Sequence, residues 1–226
     1  MKHFIVTIDG PAGAGKTTIA KCLARRLGCA YLDSGAIFRG FAWHAVNKMG
    51  LTDITASDIT GLMDGTNNRL TFHADIETHG VAVRYDGIDI TNQIRNNAVS
   101  NMASKIAVYP EVRVAVAAIE RLFAENANLV AEGRDMGTAI FPNADVKFFL
   151  TAKPETRAER RMLQTSRQYA NLKTAIKDIT ERDARDASRA TDPMREPEDS
   201  IHIDSTNLTL DETKLVIYLL TKSKLF

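Results

Sequence analysis

The chain has 226 residues, of which 44% are hydrophobic and 25% are charged, so one large domain or one domain with an insertion is expected. Its 29 Lys and Arg and 28 Asp and Glu residues give a net charge of +1, which argues against a histone-like nucleic-acid binder and an acidic disordered tail. The balance hides two basic blocks: residues 1–50 have 7 basic and 2 acidic side chains, and residues 157–189 have 9 and 5.

The amino-terminal apolar run, residues 4–8, is too short for the core of a signal peptide, and no stretch approaches the roughly 18 apolar residues of a membrane span. Two cysteines, Cys22 and Cys29, are too few for a disulfide framework or a four-ligand metal site, so we expect both to be reduced and structural. These features predict a cytoplasmic protein that does not bind membranes.

Short β-rich apolar runs alternate with helical stretches, a pattern that indicates a parallel sheet with crossover helices. The predicted core strands cover residues 3–8, 30–32, 129–131, 146–150 and 201–203. The first helix is predicted over Lys16–Leu27, because Ile19, Leu23 and Leu27 repeat every four residues and Gly28 can end it.

Two further helices follow from local signals. After the second strand we expect a loop and then a helical stretch that reaches residue 49. The last helix is predicted to start near Thr209, because the T-x-x-E run to Glu212 has the form of a capping box.

Residues 69–91 interrupt the alternation. Three short predicted strands lie here, over residues 70–73, 81–85 and 88–90. They are separated by His79-Gly80 and Asp86-Gly87, and Asp-Gly between two strand runs favours a hairpin. Consecutive short strands with tight turns predict a small antiparallel sheet inserted into the α/β domain.

A phosphate-binding motif follows the first predicted strand and reads G-x-x-x-x-G-K-T over residues 10–17. Glycines allow a tight turn in which several backbone N–H groups point at phosphate oxygens. Lys16 can reach the β- and γ-phosphates, and the Thr17 hydroxyl can ligate Mg²⁺. The motif predicts a nucleoside triphosphate site. Its predicted ATP-binding residues are Gly10, Pro11, Ala12, Gly13, Ala14, Gly15, Lys16, Thr17 and Thr18.

The motif alone does not separate a GTPase, a motor ATPase and a small-molecule kinase. A GTPase should contain N-K-x-D, but the Asn-Lys pair at residues 47–48 lacks the following carboxylate. A motor ATPase usually has an apolar strand that ends in adjacent acidic residues, which none of these strands does. A kinase of a small phosphorylated substrate instead needs a second, arginine-rich anion site.

Two single arginines are candidates for that second site. Arg39 ends the run D-S-G-A-I-F-R directly after the second predicted strand, and Arg134 follows the strand that ends at residue 131. Ligands of open α/β sheets bind at the carboxyl ends of the strands. Both arginines are therefore expected at the same edge of the sheet as the phosphate-binding loop of residues 10–17, the P-loop.

Two charged ladders are further candidates. Arg157 and Arg161 lie one helical turn apart, and Arg182, Asp186 and Arg189 have the spacing i, i+4, i+7, which predicts one shared helix face. An isolated ladder of this kind is typical of a solvated, salt-bridged surface. Beside a P-loop and two strand-end arginines, we favour an anion site.

These motifs together resemble the bacterial-type cytidylate (CMP) kinase family of P-loop nucleoside monophosphate kinases. Matching stretches include IDGPAGAGKTT near the start, LDSGAIFR at 32–39, AEGRDMGTAIFPNADVKFFL at 131–150 and ITERDARDASRATDP at 179–193. The resemblance runs nearly end to end. It implies an α/β fold with a five-stranded parallel sheet core, a small antiparallel β insertion and a short helical lid.

The resemblance also implies a division of the chain. Residues 1–60 and 98–226 would form the kinase core, with a lid at about 155–190, and residues 61–97 an inserted nucleoside-monophosphate-binding subdomain. The polar stretch at residues 164–174, between two arginine-bearing segments, suggests that the lid closes over bound nucleotides.

The implied reaction is transfer of the γ-phosphoryl group of ATP to CMP, and to dCMP, with Mg²⁺ as cofactor. Two alternatives stay open: a kinase for another small acceptor, such as UMP or a sugar acid, and a module that binds nucleotide without transfer. We expect nucleotides as the partners, no nucleic acid or membrane partner, and a monomer.

Residue roles are implied by the same resemblance. Lys16, Arg157 and Arg161 would be catalytic and neutralise charge on the transferred phosphoryl group, and Thr17 would bind Mg²⁺ with the ATP phosphates. The implied CMP-binding residues are Ser34, Arg39, Ser104, Arg113, Arg134, Asp135, Arg182, Asp186 and Arg189.

Within that set, three arginines would bind the acceptor phosphate, namely Arg39, Arg134 and Arg189. Arg182 and Asp186 would hold the ribose hydroxyls. Three residues would read cytosine, namely Ser104, Arg113 and Asp135. A carboxylate can accept a hydrogen bond from the cytosine N4 amino group, whereas uracil would present an O4 acceptor and leave the carboxylate unpaired.

Overall fold

A computed structural model describes residues 3–75, 80–125, 127–164 and 169–226 of the chain. Within these residues the strands are β1 (Ile5–Asp9), β2 (Ala30–Asp33), β3 (Leu70–Asp75), β4 (Gly80–Tyr85), β5 (Ile88–Asp89), β6 (Leu129–Glu132), β7 (Val146–Thr151) and β8 (Ile201–Asp204). The helices are α1 (Lys16–Leu27), α2 (Ser34–Asn47), α3 (Ala56–Thr66), α4 (Asn97–Ile106), α5 (Pro110–Leu122), α6 (Pro154–Gln164), α7 (Leu172–Ser188) and α8 (Leu210–Leu225).

Five strands form one sheet in the order β2-β6-β1-β7-β8, and all four neighbouring pairs are parallel. The predicted five-stranded parallel core is confirmed. Because β1 is central, the residues that follow it lie between those that follow β6 and β7, at one edge of the sheet.

A buried acid at the end of β1 organises this edge. Asp9 is fully buried, and its carboxylate accepts hydrogen bonds from the N–H groups of Met136 (2.9 Å) and Gly137 (2.7 Å). These bonds attach a π-helical turn, Met136–Ile140, to the strand that precedes the P-loop. Burial raises the pKa of Asp9 to about 7, although the two N–H groups oppose the shift.

The first two helices begin and end where local signals place them. Helix α1 has the predicted bounds and ends at Gly28, whose left-handed φ of 62° suits glycine. Helix α2 starts immediately after β2, so the expected loop is wrong. The Asp33 side chain accepts from the Ala36 N–H at 2.9 Å and caps the helix without an intervening segment.

The last helix also starts as predicted. Thr209 caps α8, and the reciprocal bonds with Glu212 form the expected capping box. In the parts of the chain that the structure describes, no helix is long and apolar enough to cross a membrane.

The insertion contains the predicted antiparallel sheet, in the order β3-β4-β5. Asp86 and Gly87 form the tight turn between β4 and β5, with left-handed φ values of 50° and 79°. Gly80 pairs with Asp75 inside the sheet, so the turn predicted at His79-Gly80 is wrong for Gly80. His79 lies outside the described residues.

Helices cover both faces of the parallel sheet. On one face α1 and α8 pack over residues such as Ile8 and Phe148. On the other face α2, α4 and α5 share a core with Val81 and Val83 of the insertion. The boundary of the inserted subdomain at residues 61–97 stays a prediction.

Helices α6 and α7 pack against each other and against the P-loop, through a small apolar cluster of Ala12, Ala158, Ala175 and Ile179. Helix α7 ends at Ser188, so Arg189 lies one residue beyond it rather than on the predicted shared helix face. Residues 165–168 of the expected polar stretch lie outside the described residues.

Candidate active site

A cavity of about 170 Å³ lies at the carboxyl ends of β1, β2 and β6 and is closed on one side by α7. Most of the predicted site residues line it: Ala12, Gly13, Gly15, Lys16, Thr17, Thr18, Ser34, Arg39, Ser104, Arg134, Asp135, Arg161, Arg182, Asp186 and Arg189. The predicted residues that do not line it are Gly10, Pro11, Ala14, Arg113 and Arg157.

The P-loop turn depends on its glycines. Gly10 and Gly13 have φ values of 141° and 76°, in the region that favours glycine. A Cβ at Gly10 would lie 2.1 Å from the Leu150 carbonyl oxygen, and a Cβ at Gly13 would lie 2.7 Å from that of Arg157. The loop therefore sits directly against β7 and α6, with the amino terminus of α1 pointing at the cavity.

Lys16 lies across the loop. Its buried ammonium donates to the carbonyl oxygens of Gly10 (2.7 Å) and Pro11 (2.8 Å). Burial, and then the charge of Arg134, lower the pKa of Lys16 to about 7. A bound polyphosphate would offer this ammonium stronger, charged acceptors than the two carbonyls.

A group of oxygen donors lies beside Lys16. The Thr17 hydroxyl donates to Glu132 at 2.7 Å, and the Tyr31 hydroxyl donates to the same carboxylate oxygen at 3.2 Å. Burial and the charge of Asp33 raise the pKa of Glu132. Hydroxyl and carboxylate oxygens suit Mg²⁺, which is usually held by one or two side chains and by substrate phosphates.

That donor set is small. Among the described residues, no group of three or more His, Cys, Asp and Glu side chains could hold a metal ion by itself. The residues present therefore fit a Mg²⁺ ion that arrives with a nucleotide rather than one held in a protein cage.

Arginine–carboxylate pairs form the opposite wall. Arg39 pairs with Asp33 at 2.9 Å, and Arg134 pairs with Asp186 at 2.9 Å. Burial, and then the charge of Arg134, lower the pKa of Arg182 to about 10. This wall holds more positive charge than its carboxylates neutralise.

Several guanidinium nitrogens on this wall have no hydrogen-bond partner. In the described part of the chain, these include the buried Nε atoms of Arg39, Arg182 and Arg189. A buried donor without a partner costs about 1–3 kcal/mol, and an anionic ligand would supply acceptors for all three. The wall has the properties of an incomplete anion site.

A buried carboxylate also lines the cavity. Asp135 accepts a short hydrogen bond from Arg113 and lies 3.8 Å from Arg189. Burial raises the pKa of Asp135, and the two guanidinium groups oppose this shift only in part. Arg113 also donates to Asp192 at 3.1 Å, so it bridges two acids behind the cavity wall.

The two predicted serines have partners that the motifs do not show. Ser104 of α4 accepts from Arg185 at 3.3 Å. Ser34 donates to Glu120 of α5, a buried acid whose pKa is raised to about 8, chiefly by burial. Glu120 therefore holds the start of α2 from behind the cavity.

The two predicted catalytic arginines face different ways. Arg161 lines the cavity. Arg157 is buried and donates to the carbonyls of Ala152 (2.9 Å) and Ala12 (2.8 Å) and to the Asp183 carboxylate (2.5 Å). The guanidinium of Arg157 is thus directed at the P-loop backbone, and its catalytic role stays a prediction.

Sequence reasoning missed several acids that support this site: Asp9, Glu120, Asp183 and Asp192. Asp9 is bonded to a turn 127 residues away in sequence, and Asp183 is bonded to a residue 171 positions away. Asp183 lies within the arginine ladder of α7, and that position was the one local signal available for it.

A P-loop at the end of a central parallel strand, facing a wall of incompletely bonded arginines, defines a P-loop phosphotransferase for small anionic acceptors. A family model described as cytidylate kinase matches residues 6–222. The chain belongs to the cytidylate kinase family, as its motifs indicated.

Two sequence relatives agree with this assignment. The chain is 42% identical over 210 residues to a cytidylate kinase of Stutzerimonas stutzeri, covering 92% of this chain and 90% of the relative. It is also 42% identical over 214 residues to cytidylate kinase 1 of Haemophilus influenzae, with coverage of 92% and 89%. Among solved structures, it is similar to a shikimate kinase from Acinetobacter baumannii in complex with shikimate, with 18% identity, a TM-score of 0.45 and coverage of 99% and 96%.

Proposed function

We propose that this chain transfers the γ-phosphoryl group of ATP to CMP, and to dCMP, giving ADP and CDP or dCDP. The observation that carries the proposal is the pair of anion sites on one cavity. The P-loop supplies the donor site, and the wall with unpartnered nitrogens of Arg39, Arg182 and Arg189 supplies the acceptor site. A sensor of one nucleotide needs only the first of these two sites.

On the donor side, Lys16 exchanges its bonds to the Gly10 and Pro11 carbonyls for bonds to the β- and γ-phosphates. Arg161 extends the positive charge over the γ-phosphoryl group from the α6 side of the cavity. Thr17 and Glu132 would hold Mg²⁺, which would neutralise charge on the phosphate oxygens.

The base of ATP lies in a second cavity that adjoins the P-loop. This cavity has a volume of about 210 Å³ and is lined on its apolar side by Ala14, Ile19, Leu163 and Leu210. Apolar walls suit the faces of a purine base.

On the acceptor side, three arginines bind the CMP phosphate, namely Arg39, Arg134 and Arg189. Arg182 and Asp186 bind the ribose hydroxyls, and Ser104, Arg113 and Asp135 bind cytosine. Support comes from their placement, since all of these residues except Arg113 line the cavity that the P-loop also lines, and Asp135 lies where burial strengthens base recognition.

The chemistry needs no general base, because the attacking oxygen belongs to a phosphate that is already ionised at neutral pH. Catalysis consists of holding the two phosphates in line and of stabilising charge on the transferred group. Arg157 contributes by holding the loop that carries Lys16.

A coupled assay of ADP formation, with Mg²⁺ and separately with CMP, dCMP, UMP, AMP, gluconate and no acceptor, tests this function. We expect the highest kcat/KM with CMP, turnover of dCMP, and little ATP hydrolysis without an acceptor. Equal use of UMP, or transfer to the sugar acid alone, would instead support the alternative kinases. Binding of ATP without transfer to any acceptor would support the non-catalytic module.

The remaining expectations stay predictions: a monomer, a cytoplasmic location and no nucleic-acid partner. Size-exclusion chromatography with light scattering at micromolar concentration tests the first of them directly.

A further inference from the structure

The backbone of a single P-loop residue is bound at both its N–H and its carbonyl group. The Ala12 N–H donates to Asp183 at 2.8 Å, and the Ala12 carbonyl accepts from Arg157 at 2.8 Å. The Arg157–Asp183 ion pair, at 2.5 Å, closes the ring. We refer to Ala12, Arg157 and Asp183 as the P-loop clasp.

The clasp is buried and charge-assisted. The side chains of Arg157 and Asp183 are only 8% and 14% exposed, so solvent screens the pair little. Arg157 is also anchored to the Ala152 carbonyl just after β7. The α6 backbone presses on the next P-loop residue, since a Cβ at Gly13 would lie 2.7 Å from the Arg157 carbonyl oxygen.

Helix α7 links the clasp to the opposite wall of the cavity. Asp183 is the neighbour in sequence of Arg182 and lies within one turn of Asp186, and both of those residues line the acceptor side. A helix is a stiff element, so a ligand that fixes Arg182 and Asp186 also fixes the carboxylate that holds Ala12.

We propose that Asp183 is a positioning residue that couples acceptor binding to ATP binding, by transmitting the position of α7 to the P-loop through Arg157 and the Ala12 peptide. The inference rests on the proposed function, because it takes CMP as the ligand of the α7 wall. Coupling is reciprocal, so each nucleotide tightens the binding of the other by the same factor.

If the Arg157–Asp183 ion pair only stabilised the fold, a different result would be expected. Loss of such a pair lowers the unfolding temperature and reduces both affinities, but it leaves the ratio between CMP affinity with and without bound donor unchanged. That ratio is the informative measurement.

The test is calorimetric titration of CMP into the full chain, with and without a saturating non-hydrolysable ATP analogue and Mg²⁺. For the wild type we expect CMP to bind at least about 5-fold more tightly with the analogue than without it. A factor of about 5 is the low end of typical coupling between two sites. For Asp183→Asn we expect that ratio to fall close to 1, together with a drop in kcat/KM.

The matched control is Glu181→Gln, which removes one acidic charge from an exposed position on the same helix. We expect it to keep the wild-type ratio. Arg157→Lys keeps the positive charge but loses the planar guanidinium group with its several N–H donors. Its affinity ratio should lie between those of the wild type and Asp183→Asn. That variant also serves as the test if Asp183→Asn does not fold.

Three results overturn the proposal. The affinity ratio of the wild type is near 1, the ratio of Asp183→Asn equals that of the wild type, or the ratio falls as far in Glu181→Gln as in Asp183→Asn. The proposed function fails separately, by absence of CDP formation in the wild type. CDP formation together with an unchanged ratio in Asp183→Asn counts against the coupling alone.

Discussion

The donor half and the acceptor half of the cavity differ in how complete their hydrogen bonds are. On the donor half, Lys16 is bonded to its own loop and Thr17 to Glu132. The backbone of Ala12 is bonded to the other two clasp residues. On the acceptor half, the buried Nε atoms of Arg39 and Arg182 have no partner in the described residues. ATP therefore has to replace existing bonds, whereas CMP also supplies acceptors to donors that have no partner.

This difference assigns separate tasks to the two halves. A loop that satisfies its own polar groups keeps its shape without ligand, which is what a preorganised phosphate cradle requires. A wall that holds unpaired donors is less stable by itself, and an anion of the right size relieves that cost. Selectivity should therefore be concentrated in the acceptor half, and transition-state stabilisation in the donor half.

Lys16→Ala should produce the largest effect, because it removes the donor-half ammonium that binds the β- and γ-phosphates. We expect kcat for CDP formation to fall about 100- to 1,000-fold, as for loss of a group that stabilises transition-state charge. Activity within tenfold of the wild type would contradict the role. Lys48→Ala is the control, since it removes an exposed lysine that lies over Trp43, outside the residues lining the cavity.

Asp135→Ala should change selectivity more than rate, because this residue belongs to the acceptor half. The ratio of kcat/KM for CMP to that for UMP should narrow by about 10- to 100-fold, the effect of one charge-assisted hydrogen bond. Asp135→Asn keeps the shape and adds a donor for uracil O4, so it should narrow the ratio at least as far. An unchanged ratio in both variants, or the same narrowing in the exposed control Asp211→Ala, would refute cytosine reading by Asp135.

Uptake of a proton by Lys16 when ATP binds should be the smallest of the three effects, and its measurement tests the donor half alone. Burial and Arg134 hold the pKa of Lys16 near 7 in the nucleotide-free chain, so the side chain is largely neutral at pH 8 and charged at pH 6. The negative charge of the bound phosphates raises the pKa of Lys16 again. ATP binding at pH 8 should therefore add about one proton to Lys16, whereas at pH 6 Lys16 is already protonated and takes up none.

Titration calorimetry in two buffers of different ionisation enthalpy measures the proton number. Lys16→Met, which cannot be protonated, should remove the part of the difference between pH 8 and pH 6 that Lys16 contributes. The same difference in the wild type and in Lys16→Met would contradict proton uptake by Lys16.

Features encoded by neighbouring residues were predicted well. The bounds of α1, the Asp86-Gly87 turn and the Thr209 capping box depend on contacts within a few positions, and all three are confirmed. Spacing alone indicated a P-loop and an arginine-rich anion site, while the particular CMP-binding set came from the family resemblance.

Features encoded by distant residues were not predicted. The π-helical turn after β6 exists because Asp9, on another strand, accepts two of its N–H groups. Asp183 reaches a P-loop residue 171 positions away. Sequence periodicity contains no information about such partners, since they meet only in the folded chain.

The central position of β1 has a consequence for the order in which the molecule is made. The strand that leads into the P-loop pairs with β6 and β7, so Ile5 lies beside Leu129 and Val6 beside Val146. At about 5–20 residues per second, the ribosome needs about 6 to 28 seconds to synthesise the chain between these partners. During that interval the whole G-x-x-x-x-G-K-T motif is present as a sequence without its sheet. The P-loop can therefore take its folded position, and bind nucleotide there, only after β6 and β7 have been synthesised.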